Sequence, residues 1–349
     1  ELQALGYRPV KRLSGPGQFS RDASLFRIHS RGFTFFDGQE PARRLQLQLR
    51  RGYVDELTLA NGEPLSLLRL EPAEIGGIYP ALKEDRLLVR LEDIPPLLGE
   101  SLMAIEDRSF LDHYGLSPSA IARAALANIK AGAVVQGGST ITQQLVKNFY
   151  LTHEQRFTRK VKEALMSLLL ELHYSKREIL ETYINEVYLG QSGPRAIHGF
   201  GLAAEHYFNQ TVSELNSAQV ALLVGLVKGA SYYNPWRQPE RARLRRNLVL
   251  QVMFDSGLIT QSDLVKSQAS SLAVVGAKKI TRRNYPAFLD LVKRQLLEDY
   301  QEQDLSSAGL RIFTSFSLRA QQRAEQAVER RLNKLEGAYQ LPQQSLQTA

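Results

Sequence analysis

The sequence of 349 residues contains no cysteine, which excludes disulfides and thiolate metal sites and leaves the redox compartment open. Long hydrophobic runs are missing too. The stretch from Ala164 to Leu170, bounded by Glu163 and Glu171, falls far short of the roughly 20 residues a membrane-crossing helix needs. If the protein is anchored, the anchor lies outside these residues. No signal peptide and no repeat of fixed period is visible, and the phosphate-loop pattern GxxxxGK followed by Ser or Thr is absent, so a Walker A nucleotide site is excluded. Acidic residues are the scarcer charge: 36 Asp and Glu stand against 44 Lys and Arg, a formal net charge of +8. That surplus favours an anionic partner, whether nucleic acid, a phospholipid surface or a phosphorylated substrate, without choosing among them.

What is present divides into regions. The chain is long enough for two or more domains, each with its own core. Residues 1–71 read as a small antiparallel sheet: Leu45 to Leu49 alternates with period two, Tyr53 to Leu59 continues the alternation after Arg51-Gly52, and Asn61-Gly62 signals a second tight turn leading to a strand over Leu65 to Leu70. His29 and Asp37 are lone polar residues there with ordinary surface roles. Residues 72–95 carry Pro72, Gly76, Gly77, Pro80 and Pro95, a linker composition. From Pro96 the pattern turns helical, with segments expected over 96–106, 118–130, 140–150, 155–174, 176–187, 202–208, 212–227 and 239–257. This stretch has almost no period-two signal, and an α-helical domain is predicted over 96–271. Residues 272–349 read as a helix from Pro286 to Tyr300, a strand from Leu310 to Ser315, a charged helix from Leu318 to Leu335, and a Gln-rich disordered end from Tyr339.

Two glutamates and a glycine-rich turn carry the chemical signal. Glu106 ends an apolar helix, and by position alone it reads as solvated or paired with Arg108. The apolar helix before it and Phe110 and Tyr114 after it make the other reading, a carboxyl whose pKa is raised toward that of a general base. Glu163 lies nearly opposite the stripe Val161, Leu165, Leu168 and Leu172, in line with Met166 and Leu170, so its helix is apolar on both sides. A carboxylate there is either ion-paired with Arg159 one turn earlier, worth about 0.3–0.5 kcal/mol, or lines a cleft. Between the two glutamates, Gly137-Gly138-Ser139-Thr140 opens a helix with Thr140 and Gln143 spaced as a capping box. The same turn offers backbone N–H groups and a helix dipole to an anion. Lys147, Arg159, Lys160 and Lys162 add charge, and a diphosphate is the anion to test first. Ser117 to Val135 is either an interior helix or a segment dipping into a bilayer surface. Lys228 stands beside a glycine turn, and the arginines from Arg237 to Arg246 read as a solvated basic face.

Taken together these motifs resemble the glycosyltransferase domain of class A penicillin-binding proteins of the 1b type, glycosyltransferase family 51. The marks stand in order: Glu106-Asp107-Arg108-Ser109-Phe110 with His113 and Gly115; Gly137 to Gln144 with Lys147 and Asn148; Arg159-Lys160 with Glu163; Lys176 to Asn185; and the Lys228 turn. The resemblance covers about residues 97–250. It implies a mainly α, lysozyme-like α-helical glycosyltransferase domain, preceded by a small α+β antiparallel-sheet domain similar to the UvrB domain 2 homologue of 1b-type members. Residues 272–349 resemble the connector to a transpeptidase domain, which is expected outside these residues because no SxxK and no KTG occurs.

The resemblance implies polymerisation of lipid II into β-1,4-linked glycan with inversion and release of undecaprenyl diphosphate. Glu106 is then the base, and Glu163, with Arg159, Lys160, Lys147 and Lys228, holds the diphosphate, Glu163 through a divalent cation (Mg2+ or Mn2+) where one is used; no organic cofactor is implied. Asp107, Phe110, His113, Ser139, Thr140, Gln144, Asn148 and Tyr183 are the remaining expected substrate-binding positions. The implied partners are lipid II and the growing glycan strand, the membrane surface, an outer-membrane lipoprotein activator at residues 1–71 and other cell wall synthesis and division proteins, but no nucleic acid. The implied location is the periplasmic face of the bacterial inner membrane. Two other readings compete: a lysozyme-like hydrolase, which needs two carboxylates but no cation cluster because its leaving group is a neutral sugar hydroxyl, and a non-catalytic lipid II-binding module.

Overall fold

The structure is a computed structural model that describes residues 2–3, 5–73, 75–76, 87–133, 137–150, 157–193, 195–275, 285–301 and 310–342. The first part is a five-stranded sheet in the order β1-β2-β3-β6-β7, built from β1 (Arg8–Pro9), β2 (Gln18–Asp22), β3 (Leu25–His29), β6 (Arg44–Arg50) and β7 (Tyr53–Leu59). The β4 (Phe33–Phe35) and β5 (Gly38–Glu40) strands pair only with each other. The β6–β7 hairpin turns on Arg51 and Gly52, both at positive φ (54° and 85°), as a two-residue connection matched to strand twist requires. Alternation puts Leu45 and Ile28 on the inner face with Tyr7 and Phe19, a small core of its own. The predicted strand over Leu65 to Leu70 does not form. Beyond the isolated bridge between Thr58 and Pro64 the segment is irregular, and Leu68 and Leu70 pack on the small core as loop residues.

The larger part is helical and has a second hydrophobic core. Its elements are α1 (Pro96–Glu106), α2 (Pro118–Ala131), α3 (Ile141–Tyr150), α4 (Phe157–His173), α5 (Lys176–Glu186), α6 (Phe200–Phe208), α7 (Ser217–Val227), α8 (Pro239–Asp255) and α9 (Gln261–Ala269). At the centre is α7, on which every residue from Gln219 to Leu226 is buried. At about 1.5–3 kcal/mol for each buried Leu or Val, this helix is the main apolar anchor. Both α1 and α8 pack on it, which fixes the end of α1 where Glu106 stands. The α7 helix starts five residues later than predicted: Val212–Glu214 is a single 3-10 turn, and Asn216 with Gln219 forms the capping box that opens the helix. Between α5 and α6 runs a hairpin, β8 (Tyr188–Ser192) with β9 (Arg195–His198), that the helical reading did not anticipate.

A buried ionic knot joins the two parts. Glu214, 3% exposed, receives Arg31 and lies 3.6 Å from Arg8. Arg31 also reaches Glu71 at 2.6 Å and the carbonyl of Leu5 at 2.7 Å. After α9, α10 (Pro286–Asp299) and α11 (Leu318–Ala338) follow. The predicted strand from Leu310 to Ser315 is extended chain without a strand partner among the described residues. Phe313 instead packs its ring on Phe33, Phe35 and Phe36 of the first part. The Gln-rich end beyond 342 lies outside the described residues.

Candidate active site

The site is assembled around the opening turn of α3. Thr140 and Gln143 form the expected reciprocal capping box, with Gln143 N–H donating to Thr140 Oγ1 at 3.1 Å and Thr140 N–H to Gln143 Oε1 at 3.0 Å. Thr140 Oγ1 also donates to the Gly115 carbonyl at 2.7 Å. The Gly115 loop presses against α4 so closely that a Cβ there would lie 2.6 Å from the Ser167 carbonyl, and its φ is +80°, a position that needs glycine on both counts.

Glu106, the last residue of α1, is half-buried. Its Oε2 accepts a 3.0 Å hydrogen bond from Gln144 Nε2, and Gln144 Oε1 accepts one of 2.7 Å from the Tyr183 hydroxyl. Burial raises the Glu106 pKa above the ordinary glutamate value. The Gln144 hydrogen bond and the nearby charges of Arg245 and Lys228 oppose that rise, and Asp107 adds to it. Tyr183, wholly buried beside Glu106, is pushed well above the usual phenol range by desolvation first and by that carboxylate second. Of the two sequence readings, the apolar one describes Glu106. Arg108 turns away, its Nε donating to the Ala104 carbonyl.

Glu163 is 1% exposed. Arg159 Nη1 lies 3.3 Å from its Oε2, and Lys160 Nζ meets its Oε1. Lys160 also donates to Ser139 Oγ at 2.9 Å. It therefore bridges α4 to the glycine-rich turn, and of the two readings of Glu163 the ion pair is the one formed. Of the apolar stripe expected on α4, Val161, Leu165 and Leu172 face outward, with Leu169 beside them, at 44–74% exposure, whereas Leu168 is half-buried and Glu163 and Ser167 point in.

Ser139 and Gln144 are five residues apart, about 8 Å along a helix axis. One short segment thus carries both the contact to Lys160 and the contact to Glu106. The other predicted positions divide by burial. Asp107, Phe110, His113, Thr140 and Tyr183 are at most 9% exposed and hold the walls. His113 Nε2 lies 2.9 Å from Asp107 Oδ2, which also accepts Ile141 N–H at 3.0 Å. Phe110 sits in the core beneath Lys176, whose Nζ is 4.6 Å from its ring centroid. Lys147, Asn148, Lys160 and Lys228 are exposed and form the accessible polar set. Arg245 was missed because its arginine-rich helix reads as one solvated face. On α8 it is half-buried instead, its Nε 3.4 Å from the Gly225 carbonyl, with its charge felt at Glu106. Spacing gives the signal in retrospect, since Arg245 falls between Ala242 and Val249 on the side packed against α7.

The donors around Glu163 do not fit a resident divalent cation. Both carboxylate oxygens are engaged by cations, and among the described residues no group of three His, Asp or Glu side chains is arranged to hold a metal ion. No step is assigned to a metal.

Among known families, the Transglycosylase model matches residues 74–254 and the Bifunctional transglycosylase second domain matches residues 1–70. The sequence is 43% identical over 336 residues to Penicillin-binding protein 1B of Vibrio cholerae, covering 96% of this chain and 43% of that protein. It is 42% identical over 332 residues to Penicillin-binding protein 1B of Haemophilus influenzae, covering 95% of this chain and 42% of that protein. It is also 42% identical over 327 residues to Penicillin-binding protein 1B of Escherichia coli, covering 93% of this chain and 39% of that protein. The chain thus spans about two-fifths of the length of these curated relatives. Because the Transglycosylase match takes in more than half of the residues and every element of the site from Glu106 to Arg245, the chain belongs to the transglycosylase family.

Proposed function

We propose that this chain is a peptidoglycan glycosyltransferase that polymerises lipid II into β-1,4-linked glycan strands for the cell wall. The observation that carries the reading is the double use of the α3 opening: Ser139 engages the Lys160–Glu163 pair and Gln144 engages Glu106. A proton acceptor and a cation cluster thereby face the same short segment.

The chemistry follows from charge. Glu106, ionised and half-buried, takes the proton of the acceptor sugar's 4-hydroxyl as that oxygen forms its bond to C1 of the donor. The C1–O bond to the lipid diphosphate breaks on the opposite face, which inverts the anomeric centre. Charge therefore builds on the leaving diphosphate. Lys160 and Arg159, held by Glu163, together with Lys147, Lys228 and the positive end of the α3 dipole, meet it. Glu163 acts by fixing the two cations. A hydrolase releasing a neutral sugar hydroxyl has no use for this cluster, which is why the polymerase is favoured over the lysozyme-like alternative.

The outward apolar residues of α4, with Ile129 of α2 at 78% and Tyr114 at 75% exposure, supply what a protein working on a lipid-linked substrate needs at the bilayer surface. No helix among the described residues is long and apolar enough to cross a membrane. On this reading the enzyme works at the periplasmic face of the inner membrane. The sheet over residues 1–71 takes a lipoprotein activator, residues 72–95 link it to the catalytic domain over 96–271, and residues 272–349 lead toward a transpeptidase domain. The test is incubation of the protein with labelled lipid II and, separately, with finished glycan: chain growth from the first supports the proposal, and cleavage of the second alone overturns it.

A further inference from the structure

One buried carboxylate near the candidate site has no part in the chemistry above. Glu171 lies two turns after Glu163 on α4, and its side chain is 2% exposed. A carboxylate withdrawn from water to that extent costs several kcal/mol unless its oxygens are partnered. Its two oxygens go to two different helices. Oε1 accepts the Thr142 hydroxyl at 2.5 Å, in the first turn of α3, and Oε2 lies 2.5 Å from Lys176 Nζ, at the first residue of α5. His113 Nδ1, on the loop whose Nε2 side meets Asp107, stands 4.0 Å from Oε1.

The two helices so tied are the ones that hold the proposed base. From α3, Gln144 donates to Glu106, and from α5, Tyr183 fixes Gln144. The proposed anion cluster of Arg159, Lys160 and Glu163 stands on α4 itself. Glu171 is thus the point where the element carrying the cations is fastened to the elements carrying the base. Its partners account for its burial, and its place in the fold gives that burial a consequence. In a displacement reaction the separation between base and leaving-group site must hold to a fraction of an ångström, and a misplacement of about 1 Å costs on the order of 10²-fold in rate.

We propose that Glu171 is a positioning residue that sets the span of the groove between Glu106 and the Lys160–Glu163 cluster. The inference rests on the glycosyltransferase reading. Neither end of the span moves far enough to leave the groove when Glu171 is altered, so substrate still binds, but the base and the departing diphosphate lose register. The signature is a loss in kcat with little change in KM.

The experiment compares steady-state lipid II polymerisation by the wild-type protein, Glu171→Gln and Thr142→Val, at a temperature well below the melting point of each. Glu171→Gln removes the charge facing Lys176. Thr142→Val removes only the hydroxyl on Oε1 and preserves side-chain shape, so it serves where the first variant fails to fold. The expected result is a kcat lower by about tenfold or more in Glu171→Gln and by a smaller factor in Thr142→Val, with KM for lipid II within twofold of the wild type in both. A kcat within twofold of the wild type, or a rise in KM at unchanged kcat, overturns the role. A wild-type protein that makes no glycan overturns the reading of the groove, and the role of Glu171 falls with it.

Discussion

Replacing Glu106 by glutamine separates the chemistry of the groove from its stability. The amide keeps the shape of the side chain and leaves an oxygen to accept the 3.0 Å hydrogen bond from Gln144, so the local packing stays as it is. What disappears is an ionisable group that burial holds above the ordinary value of 4.5. A carboxyl whose pKa is raised on folding binds its proton more tightly in the folded state. It favours folding below the unfolded value and loses that contribution as the pH rises through the folded value. Each tenfold difference in proton affinity between the two states is worth about 1.4 kcal/mol, and 1 kcal/mol moves the melting temperature of a domain this size by about 2–4 °C. The variant therefore melts together with the wild type at acidic pH and above it at pH 8. Its turnover of lipid II falls by about 10²–10⁴, the range a general base contributes. Differential scanning calorimetry across pH and a glycan-length assay read the two effects. A variant that melts below the wild type at pH 8, or that keeps turnover within tenfold, refutes the assignment of Glu106 as a desolvated base.

Glu163→Gln leaves Arg159 and Lys160 without their carboxylate; stability falls by about 1–3 kcal/mol in chemical denaturation and turnover by about 10², whereas unchanged turnover would remove Glu163 from the machinery. Gly115→Ala forces a Cβ toward the Ser167 carbonyl at a φ of +80° and costs about 1–3 kcal/mol; a loss under 0.5 kcal/mol on the same denaturation assay would show that the loop does not press on α4 as described. Leu165→Asp with Leu169→Asp, both on exposed positions, lowers co-sedimentation with anionic phospholipid vesicles several-fold while the melting temperature stays within a few degrees, and undiminished binding would place the membrane contact elsewhere.

The helical half was legible because its signals are local. Pro96 at the first turn of α1 and the continuous apolar run of α7 each mark a helix without knowledge of its neighbours. The failures share the opposite cause. The strand expected over Leu310 to Ser315 is missing because a strand exists only where a partner edge is offered, and Phe313 meets aromatic rings instead. The β8–β9 hairpin lies between two strong helical patterns that mask it, and α9, opened by the Thr260 cap on Asp263, falls outside the expected helical segments. In the candidate site, residue type and spacing single out Glu106, Glu163 and the α3 turn but leave each between two readings. Whether Glu163 was paired or catalytic was undecidable from its own helix, because the deciding contact, Lys160 to Ser139, crosses to another element. Arg245 and Glu171 were invisible for the same reason: their roles depend on which helix each one faces.

The most direct test of the account is a crystal structure of the protein with a diphosphate lipid or a phosphoglycolipid inhibitor bound. The account predicts phosphate oxygens within hydrogen-bond distance of Lys160 and at the α3 opening turn, with the Glu106 carboxylate across the groove facing the sugar. A phosphate bound away from both Lys160 and that turn, with Glu106 facing no part of the ligand, would contradict it.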